Sequence, residues 1–256
     1  MQKSIRAAIV AAMAVAGLVA ADAPYAGKWK INPGKSNFGE TTVTYEQMAG
    51  GEMKATIDGL SYTFKTDGKD YPTPWGTTET WKTIDANNWE DISKVNGKIT
   101  GTNTVKLSAD GKTLTVDSKM MQATGGESNT STVFQRVSGG PGLAGKWKTK
   151  NVKMSAPGVL EVTPKGSDGV ALSYVNEGGM CDAKFDGKDY PATGSMWPSG
   201  WTCSVSKAGD FAFDVTWKKD GKGLYKSSFT VSGKTLTESS TPMGSTEKVK
   251  IVYDKQ

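Results

Sequence analysis

Short runs in which polar and apolar residues alternate recur along most of the chain. Such runs occupy 41–47, 60–66, 89–95, 102–108 and 211–217, and the apolar positions of the last are Phe211, Phe213, Val215 and Trp217. A period of two places alternate side chains on one face of a β-strand. Asp-Gly and Asn-Gly pairs, which supply the positive φ angles of tight hairpins, separate the runs. The pattern predicts an all-β protein with about eight to ten short antiparallel strands in each half.

An internal repeat divides the chain into these halves. Its matching segments are 26–30 with 144–148, 67–72 with 186–191, 111–115 with 233–237, and 133–136 with 252–255. The offset stays close to about 120 residues, which is the scale of duplicated domains rather than of a solenoid. The first two pairs are identical copies of Ala-Gly-Lys-Trp-Lys and Asp-Gly-Lys-Asp-Tyr-Pro.

The repeat predicts two tandem up-and-down β-barrels, at 22–138 and 143–256, joined by a Gly- and Pro-containing linker at 139–142. Closing each sheet on itself removes exposed strand edges. Because both halves begin and end with the same segments, two separate barrels are favoured over one larger barrel. We therefore expect each half to fold on its own.

The first 21 residues have the pattern of a cleavable export signal. Lys3 and Arg6 precede a small, apolar run at 7–20, and Val19 and Ala21 fit the cleavage rule. The run is too short to span a bilayer, and no Cys lies near the cleavage site to carry a lipid. The sequence predicts a periplasmic or secreted protein with no membrane span.

The composition excludes several kinds of partner and catalytic site. The chain has 31 Lys and Arg residues against 26 Asp and Glu, and it has no His. The basic excess consists of lysines spread along the chain, so we expect no nucleic-acid partner. The lack of His excludes Ser-His-Asp and Cys-His catalysis, His-ligated haem and ordinary catalytic zinc. We therefore predict a protein that is not an enzyme and that binds no cofactor and no metal; the sequence leaves the oligomeric state open.

Two cysteines, Cys181 and Cys203, lie in the second half. In an exported chain without metal partners a disulfide is favoured over a reactive thiol, which would need an activating base. The bridge would close a loop of about 20 residues and contribute roughly 3 kcal/mol. Counting along the repeat places Tyr62 and Thr83 at the matching positions of the first half, so we expect a bridge in the second half only.

The Gly-Lys-Trp of 27–29, together with a basic residue at the end of the half, Arg136, resembles the signature of the calycins, the superfamily of lipocalin-like barrels. More narrowly, the chain is similar to exported bacterial lipocalin-like proteins of unknown activity, through the repeated motifs described above and the C-terminal segment 252–256. The resemblance covers nearly all of both halves. It implies no catalytic residues.

The resemblance also implies how each barrel closes. A Trp of the first strand, Trp29 or Trp147, packs across the barrel floor, and a basic side chain of the last strand, Arg136 or Lys255, lies on its ring. Lys255 lacks the planar guanidinium of Arg136, so we expect the second closure to be weaker.

Aromatic residues follow each Asp-Gly-Lys-Asp-Tyr-Pro copy. They are Tyr71, Trp75 and Trp81 in the first half and Tyr190, Trp197 and Trp201 in the second. Rings on segments stiffened by Pro suit stacking on a small molecule at a barrel mouth, which makes these six the candidate ligand residues. The alternative is that the rings plug the barrels. The preceding residues, Asp67, Gly68, Lys69 and Asp70 with Asp186, Gly187, Lys188 and Asp189, are typical of a tight hairpin.

We therefore predict an exported, non-enzymatic binding protein, with each barrel holding a small apolar or amphipathic ligand. The first alternative is a cell-envelope protein that binds a polysaccharide or another protein through its aromatic loops. A hydrolase or isomerase with paired carboxylates ranks last, because no sequence pattern indicates such a pair.

Overall fold

A computed structural model describes residues 23–39, 41–195, 197–245 and 248–256. The predicted export signal at 1–21 lies outside the described residues. The described chain forms two ten-stranded antiparallel barrels, one closed and one nearly closed, and this confirms the predicted fold class. No helix in the described ranges has the length and apolar character that crossing a membrane requires.

Twenty strands follow one another along the chain. They are β1 Gly27–Ile31, β2 Thr42–Gln47, β3 Met53–Ile57, β4 Leu60–Phe64, β5 Asp67–Pro72, β6 Thr78–Asp85, β7 Asn88–Val95, β8 Lys98–Leu107, β9 Thr113–Met121, β10 Glu127–Ser138, β11 Gly145–Met154, β12 Val159–Lys165, β13 Gly169–Tyr174, β14 Gly179–Lys184, β15 Tyr190–Gly194, β16 Trp201–Gly209, β17 Ala212–Lys219, β18 Lys222–Ser232, β19 Thr235–Pro242 and β20 Val249–Lys255. A 3-10 turn, Ala49–Gly51, connects β2 to β3.

The alternation of buried and exposed positions follows the sequence pattern in most strands. In β17, for example, Phe213, Val215 and Trp217 are buried as predicted. Phe211 is an exception, because it lies in the turn before the strand and is 56% exposed.

The first barrel consists of β2 to β11 in the order β4-β3-β2-β11-β10-β9-β8-β7-β6-β5. It is a continuous meander in which β11 closes back onto β2, and the seam lies between β4 and β5. The second barrel consists of β12 to β20, and β1 closes it by pairing with both β12 and β20.

The first strand of each repeat therefore lies in the barrel of the other half. Trp29 in β1 is opposite Leu160 and Lys255, whereas Trp147 in β11 is opposite Val43 and Arg136. This corrects the boundaries predicted from the repeat. The first barrel spans 42–154, and the second combines 27–31 with 159–255.

Chain connectivity gives the physical reason for the exchange. A short loop at 139–144 joins β10 to β11, and short connections favour pairing of consecutive antiparallel strands. The segment predicted as an interdomain linker, 139–142, is thus part of a hairpin loop within the first barrel. The chain instead passes between the barrels after β1 ends at Ile31 and after β11 ends at Met154.

Each barrel floor carries a fully buried Trp under a basic side chain. The indole nitrogen of Trp147 donates to Leu143 O at 2.9 Å, and the guanidinium carbon of Arg136 lies 4.0 Å from the ring centroid. Trp29 donates to Tyr25 O at 2.9 Å, and Lys255 Nζ lies 5.2 Å from its ring centroid. Because of the strand exchange, each floor combines a Trp from one half of the sequence with a basic residue from the other half.

The predicted disulfide is confirmed. Cys181 in β14 and Cys203 in β16 are bonded to each other, and both are fully buried in the core of the second barrel.

Candidate functional site

The first barrel encloses a cavity of about 320 Å³, here called the inner cavity. Its apolar lining combines aromatic and aliphatic side chains, which are Tyr45, Tyr62, Trp75, Trp81, Phe134 and Trp147 with Val43, Ile57, Val105, Leu114 and Val116. Its polar lining consists of Glu79, Asp91, Ser93, Asn103, Ser118 and Thr132. The floor indole of Trp147 forms one end, so the cavity occupies the barrel above the floor.

Strand register places the polar groups in two layers. Asp91 of β7 lies between Trp81 of β6 and Asn103 of β8. Glu79 of β6 lies opposite Ser93 of β7, one layer further from the floor. Glu79 and Asp91 are therefore diagonal neighbours on adjacent strands, and both side chains line the cavity.

The two carboxyl groups differ in how they are hydrogen-bonded. Glu79 accepts bonds from Thr77 Oγ1 at 3.0 Å and from Ser93 Oγ at 2.6 Å. Asp91 Oδ2 accepts from Asn103 Nδ2 at 2.9 Å, but Asp91 Oδ1 is buried without a hydrogen-bond partner. Only 7% of Asp91 is exposed. Asp91 Oδ1 therefore has no donor among the described residues, and Glu79 is the group close enough to share a proton with it.

Burial changes the protonation of this carboxyl pair. Desolvation, reinforced by the neighbouring Glu79 charge, raises the pKa of Asp91 to about 8. Desolvation also raises the pKa of Glu79, against the hydrogen bonds from Ser93 and Thr77. Two close carboxyls in a low-dielectric site share a proton, so the pair holds about one proton and one negative charge at neutral pH. No basic group contributes to either shift.

A second cavity of about 490 Å³, here called the vestibule, shares Glu79 and Ser93 with the inner cavity. It lies beyond the upper layer of the first barrel, where Met120, Met121 and Met154 line it. Asn176 and Glu177 of the second half complete its wall. The vestibule therefore leads from the inner cavity towards the contact between the barrels.

The strand register also identifies which residue of the second barrel corresponds to Glu79. Tyr71 lies opposite Glu79, and the equivalent Tyr190 lies opposite Cys203. Glu79, rather than Thr83, is thus the counterpart of Cys203. The count along the repeat used an offset of about 120 residues, whereas the strand register gives 124 (203 − 79), because the loops of the two halves differ in length.

The same strand pairings show which residues of the second barrel correspond to Ser93 and Asp91 of the inner cavity. Glu79 pairs with Ser93 and Cys203 pairs with Trp217, so Trp217 replaces Ser93 and Val215 replaces Asp91. Cys203, Val215 and Trp217 are all buried in one hydrophobic cluster. The disulfide, a Val and an indole therefore fill the space that is open in the first barrel.

The second barrel has a smaller recess of about 200 Å³, which reaches Tyr225 and the buried Glu238. Both oxygens of Glu238 are occupied, one by Ser227 Oγ at 3.0 Å and the other by Tyr253 OH at 2.8 Å. Unlike Asp91, this carboxyl has a hydroxyl donor on each of its oxygens.

The six candidate ligand residues do not form two equivalent mouths. Trp81 lines the inner cavity, stacks on Phe64 at 4.7 Å and donates to Tyr62 OH at 3.2 Å. Trp75 also lines the cavity, and its indole nitrogen donates to Tyr225 OH of the second barrel at 3.2 Å. Trp75 is thus a wall shared by the two barrels.

Trp197 and Trp201 belong to the packed interior of the second barrel. The Trp197 ring lies 4.7 Å from Trp217 and 4.8 Å from Trp201. Trp201 in turn donates its N–H to Trp75 O at 2.8 Å. In the second barrel the rings therefore fill the interior, as in the alternative prediction that they plug the barrel.

Tyr71 and Tyr190 line neither the inner cavity nor the vestibule, and each contacts the Asp at the start of its own motif copy. In the first copy Asp67 Oδ1 accepts from Lys69 N at 3.1 Å and from Tyr71 OH at 3.0 Å. Gly68 has a φ of +77°, which a residue without Cβ adopts freely. Asp70 forms an ion pair with Lys94 at 2.6 Å.

The second copy repeats these contacts. Asp186 accepts from Lys188 N at 3.0 Å and from Tyr190 OH at 3.1 Å, and Gly187 has a φ of +69°. Asp189 forms an ion pair with Lys218 at 2.6 Å. The first motif is therefore not the predicted hairpin: it lies within β5, next to the seam, and forms a bulge opposite β6 between Asp67 and Asp70. In the second copy, residues 186–189 lie in the loop between the paired strands β14 and β15.

The sequence prediction missed the carboxyl pair and its hydrogen-bond donors. The sequence did contain one indication of it. Asp91 and Ser93 are alternate residues of the run that begins at Trp89, so they lie on the same face of the strand as that core residue. No group of three or more His, Cys, Asp or Glu side chains in the described ranges has the arrangement of a metal site.

Comparison of the chain with protein-family models, curated proteins and solved structures finds no match. Function therefore has to be inferred from the site itself.

Proposed function

We propose that this protein is a non-enzymatic binding protein whose first barrel holds one small amphipathic molecule. The observation that carries the proposal is the difference between the two barrel interiors. The first has a cavity of about 320 Å³ lined by aromatic, aliphatic and polar side chains, whereas a disulfide and Trp217 occupy the equivalent space of the second. The second barrel serves as a rigid support, and Trp75 is the residue through which it shapes the cavity.

The dimensions of the inner cavity suit a compact ligand. Small-molecule sites enclose roughly 300–1,000 Å³, have mostly apolar walls and carry a few polar groups that fix orientation. The aromatic walls would contact the apolar part of the ligand, and the carboxyl pair near the vestibule would contact its polar end. The barrel floor, with a buried Trp under a basic side chain, supports a relation to the lipocalin-like barrels.

We further propose that the protein acts outside the cytoplasm, in the periplasm or after secretion. A structural disulfide persists in oxidising compartments, and this agrees with the export signal predicted at 1–21. Mass spectrometry of the protein from its source would test this, and we expect a mature chain that begins at Asp22.

Titration with N-phenyl-1-naphthylamine, a neutral probe that fluoresces in apolar surroundings, tests the binding proposal. We expect one site per chain. Ser93→Trp introduces the residue found at this position of the second barrel and should abolish binding by filling the cavity. Ser232→Trp, at an exposed position of β18, is the matched control and should bind normally. Unchanged binding in the Ser93 variant, or two sites per chain, would refute the proposal.

A further inference from the structure

We infer that the ligand is an organic cation, with an ammonium group bound at Glu79 and Asp91 and an apolar body among the aromatic rings. The inference rests on the proposed function and names the chemical class of the ligand. Three independent observations on the inner cavity and the vestibule lead to it.

The first observation is the sign of the charged lining. Glu79 and Asp91 line the inner cavity, and Glu79 and Glu177 line the vestibule. No Lys or Arg lines either space among the described residues, although the chain has more basic than acidic residues. A concave site lined by one sign of charge concentrates ligands of the opposite sign and repels anions.

The second observation is that no side chain in the described ranges other than Glu79 satisfies Asp91 Oδ1. This oxygen is buried in the cavity wall and has no donor, while Asn103 Nδ2 donates to Asp91 Oδ2. The proton that Asp91 shares with Glu79 takes the place of a donor, and a ligand ammonium directed at the pair could replace it. Because the carboxyl pair lacks a basic partner in the protein, a bound ammonium would also compensate its buried charge.

The third observation is the aromatic wall beside the carboxyl pair. Tyr45 packs edge to face on Trp81, with ring centroids 5.9 Å apart, and Trp81 donates its N–H to Tyr62 OH. All three rings line the cavity. Aromatic faces attract ammonium groups, more strongly when water is excluded. A Ca²⁺ ion would instead need about six to eight oxygen ligands, which these walls do not offer.

Three probes with the same phenyl body test the inference by calorimetry. They are 2-phenylethylamine, 2-phenylethanol and phenylacetate. We expect the amine to bind at least about tenfold more tightly than the alcohol, and the carboxylate to show no measurable binding. The double variant Glu79→Gln with Asp91→Asn should lose the preference for the amine, and its circular dichroism spectrum reports whether it is folded. Glu238→Gln, which alters a buried carboxyl with both oxygens occupied, is the control and should keep the preference.

A second measurement does not depend on a variant. At neutral pH the amine should displace the shared proton of the pair, so its binding heat should vary with the ionisation enthalpy of the buffer. The groups that face this proton are Glu79, Asp91, Asn103, Tyr45 and Tyr62. Binding of the alcohol should show no such dependence.

The outcomes separate this inference from the proposed function. Equal or weaker binding of the amine than of the alcohol overturns the inference but leaves the proposed function intact if the neutral probe binds. A preference that survives in the folded double variant, or amine binding without proton release, also overturns it. Absence of binding by every probe overturns the proposed function itself.

Discussion

Replacement of Arg136 by Ala should destabilise the first barrel far more than replacement of its counterpart Lys255 destabilises the second. Arg136 Nε donates to Gly111 O at 2.5 Å, and its two Nη atoms donate to three carbonyls of the loop 140–144 at 2.7–2.8 Å. The guanidinium also covers Trp147. The side chain thus ties the β10–β11 loop to the barrel floor.

The expected magnitude follows from these contacts. A hydrogen bond to a charged group contributes about 1.5–3 kcal/mol when buried, and a cation–π contact contributes about 0.5–2 kcal/mol. Arg136 is half-buried, so each of its four hydrogen bonds should contribute less than the upper value of this range. We expect Arg136→Ala to cost about 3–5 kcal/mol, and Lys255→Ala, which loses a ring contact at 5.2 Å, to cost about 1 kcal/mol or less.

Native-state hydrogen exchange measures the two effects separately. Amides of β10 and β11 report on the first floor, and amides of β1 and β20 report on the second. Arg136→Lys keeps the positive charge but loses the planar fork, so it should recover only the smaller, cation–π part of the loss. Equal losses for the two Ala variants, or full recovery by Lys, would show that the carbonyl contacts do not stabilise the loop.

Two further predictions concern the strand exchange and the carboxyl pair. Thr44 lies opposite Lys146 in the exchanged arrangement, whereas it would face Lys28 without exchange. Thr44→Cys should therefore form a disulfide with Lys146→Cys and not with Lys28→Cys. Peptide mapping by mass spectrometry detects either disulfide. Because the folded pKa of Asp91, about 8, lies above the ordinary value of 3.8, the folded chain keeps a proton that the unfolded chain releases. Stability to urea should therefore fall between about pH 4 and pH 8, by up to about 1.4 kcal/mol per pH unit, and Asp91→Asn should flatten this slope; an identical slope in the variant would contradict the assignment.

Local patterns in the sequence were sufficient for much of the architecture. Alternation of polar and apolar residues predicted the strands, because a strand with one buried face needs a period of two. Asp-Gly and Asn-Gly pairs predicted hairpins, since they supply positive φ angles at turns. The pairing of Cys181 with Cys203 followed from there being two cysteines and no metal partner.

The candidate site was less accessible from the sequence. Trp75 and Trp81 were identified from their position after the first Asp-Gly-Lys-Asp-Tyr-Pro copy, and both line the inner cavity. The same reasoning gave Trp197 and Trp201, which pack inside the second barrel instead. Whether an aromatic ring lines a space or fills it depends on the residues across the barrel, and these are distant in sequence.

The sequence by itself therefore determined the strands, the turns, the duplication and the disulfide, because each depends on residues close together or on simple counting. Only the tertiary structure decided which barrel receives each Gly-Lys-Trp-Lys strand, since the shared residues do not distinguish the two places and a short loop joins the second copy to β10. It also decided that the first barrel is open and the second is filled. That difference arises where Glu79, Asp91 and Ser93 face positions across the barrel that Cys203, Val215 and Trp217 occupy in the other copy, and strand register alone brings those side chains together.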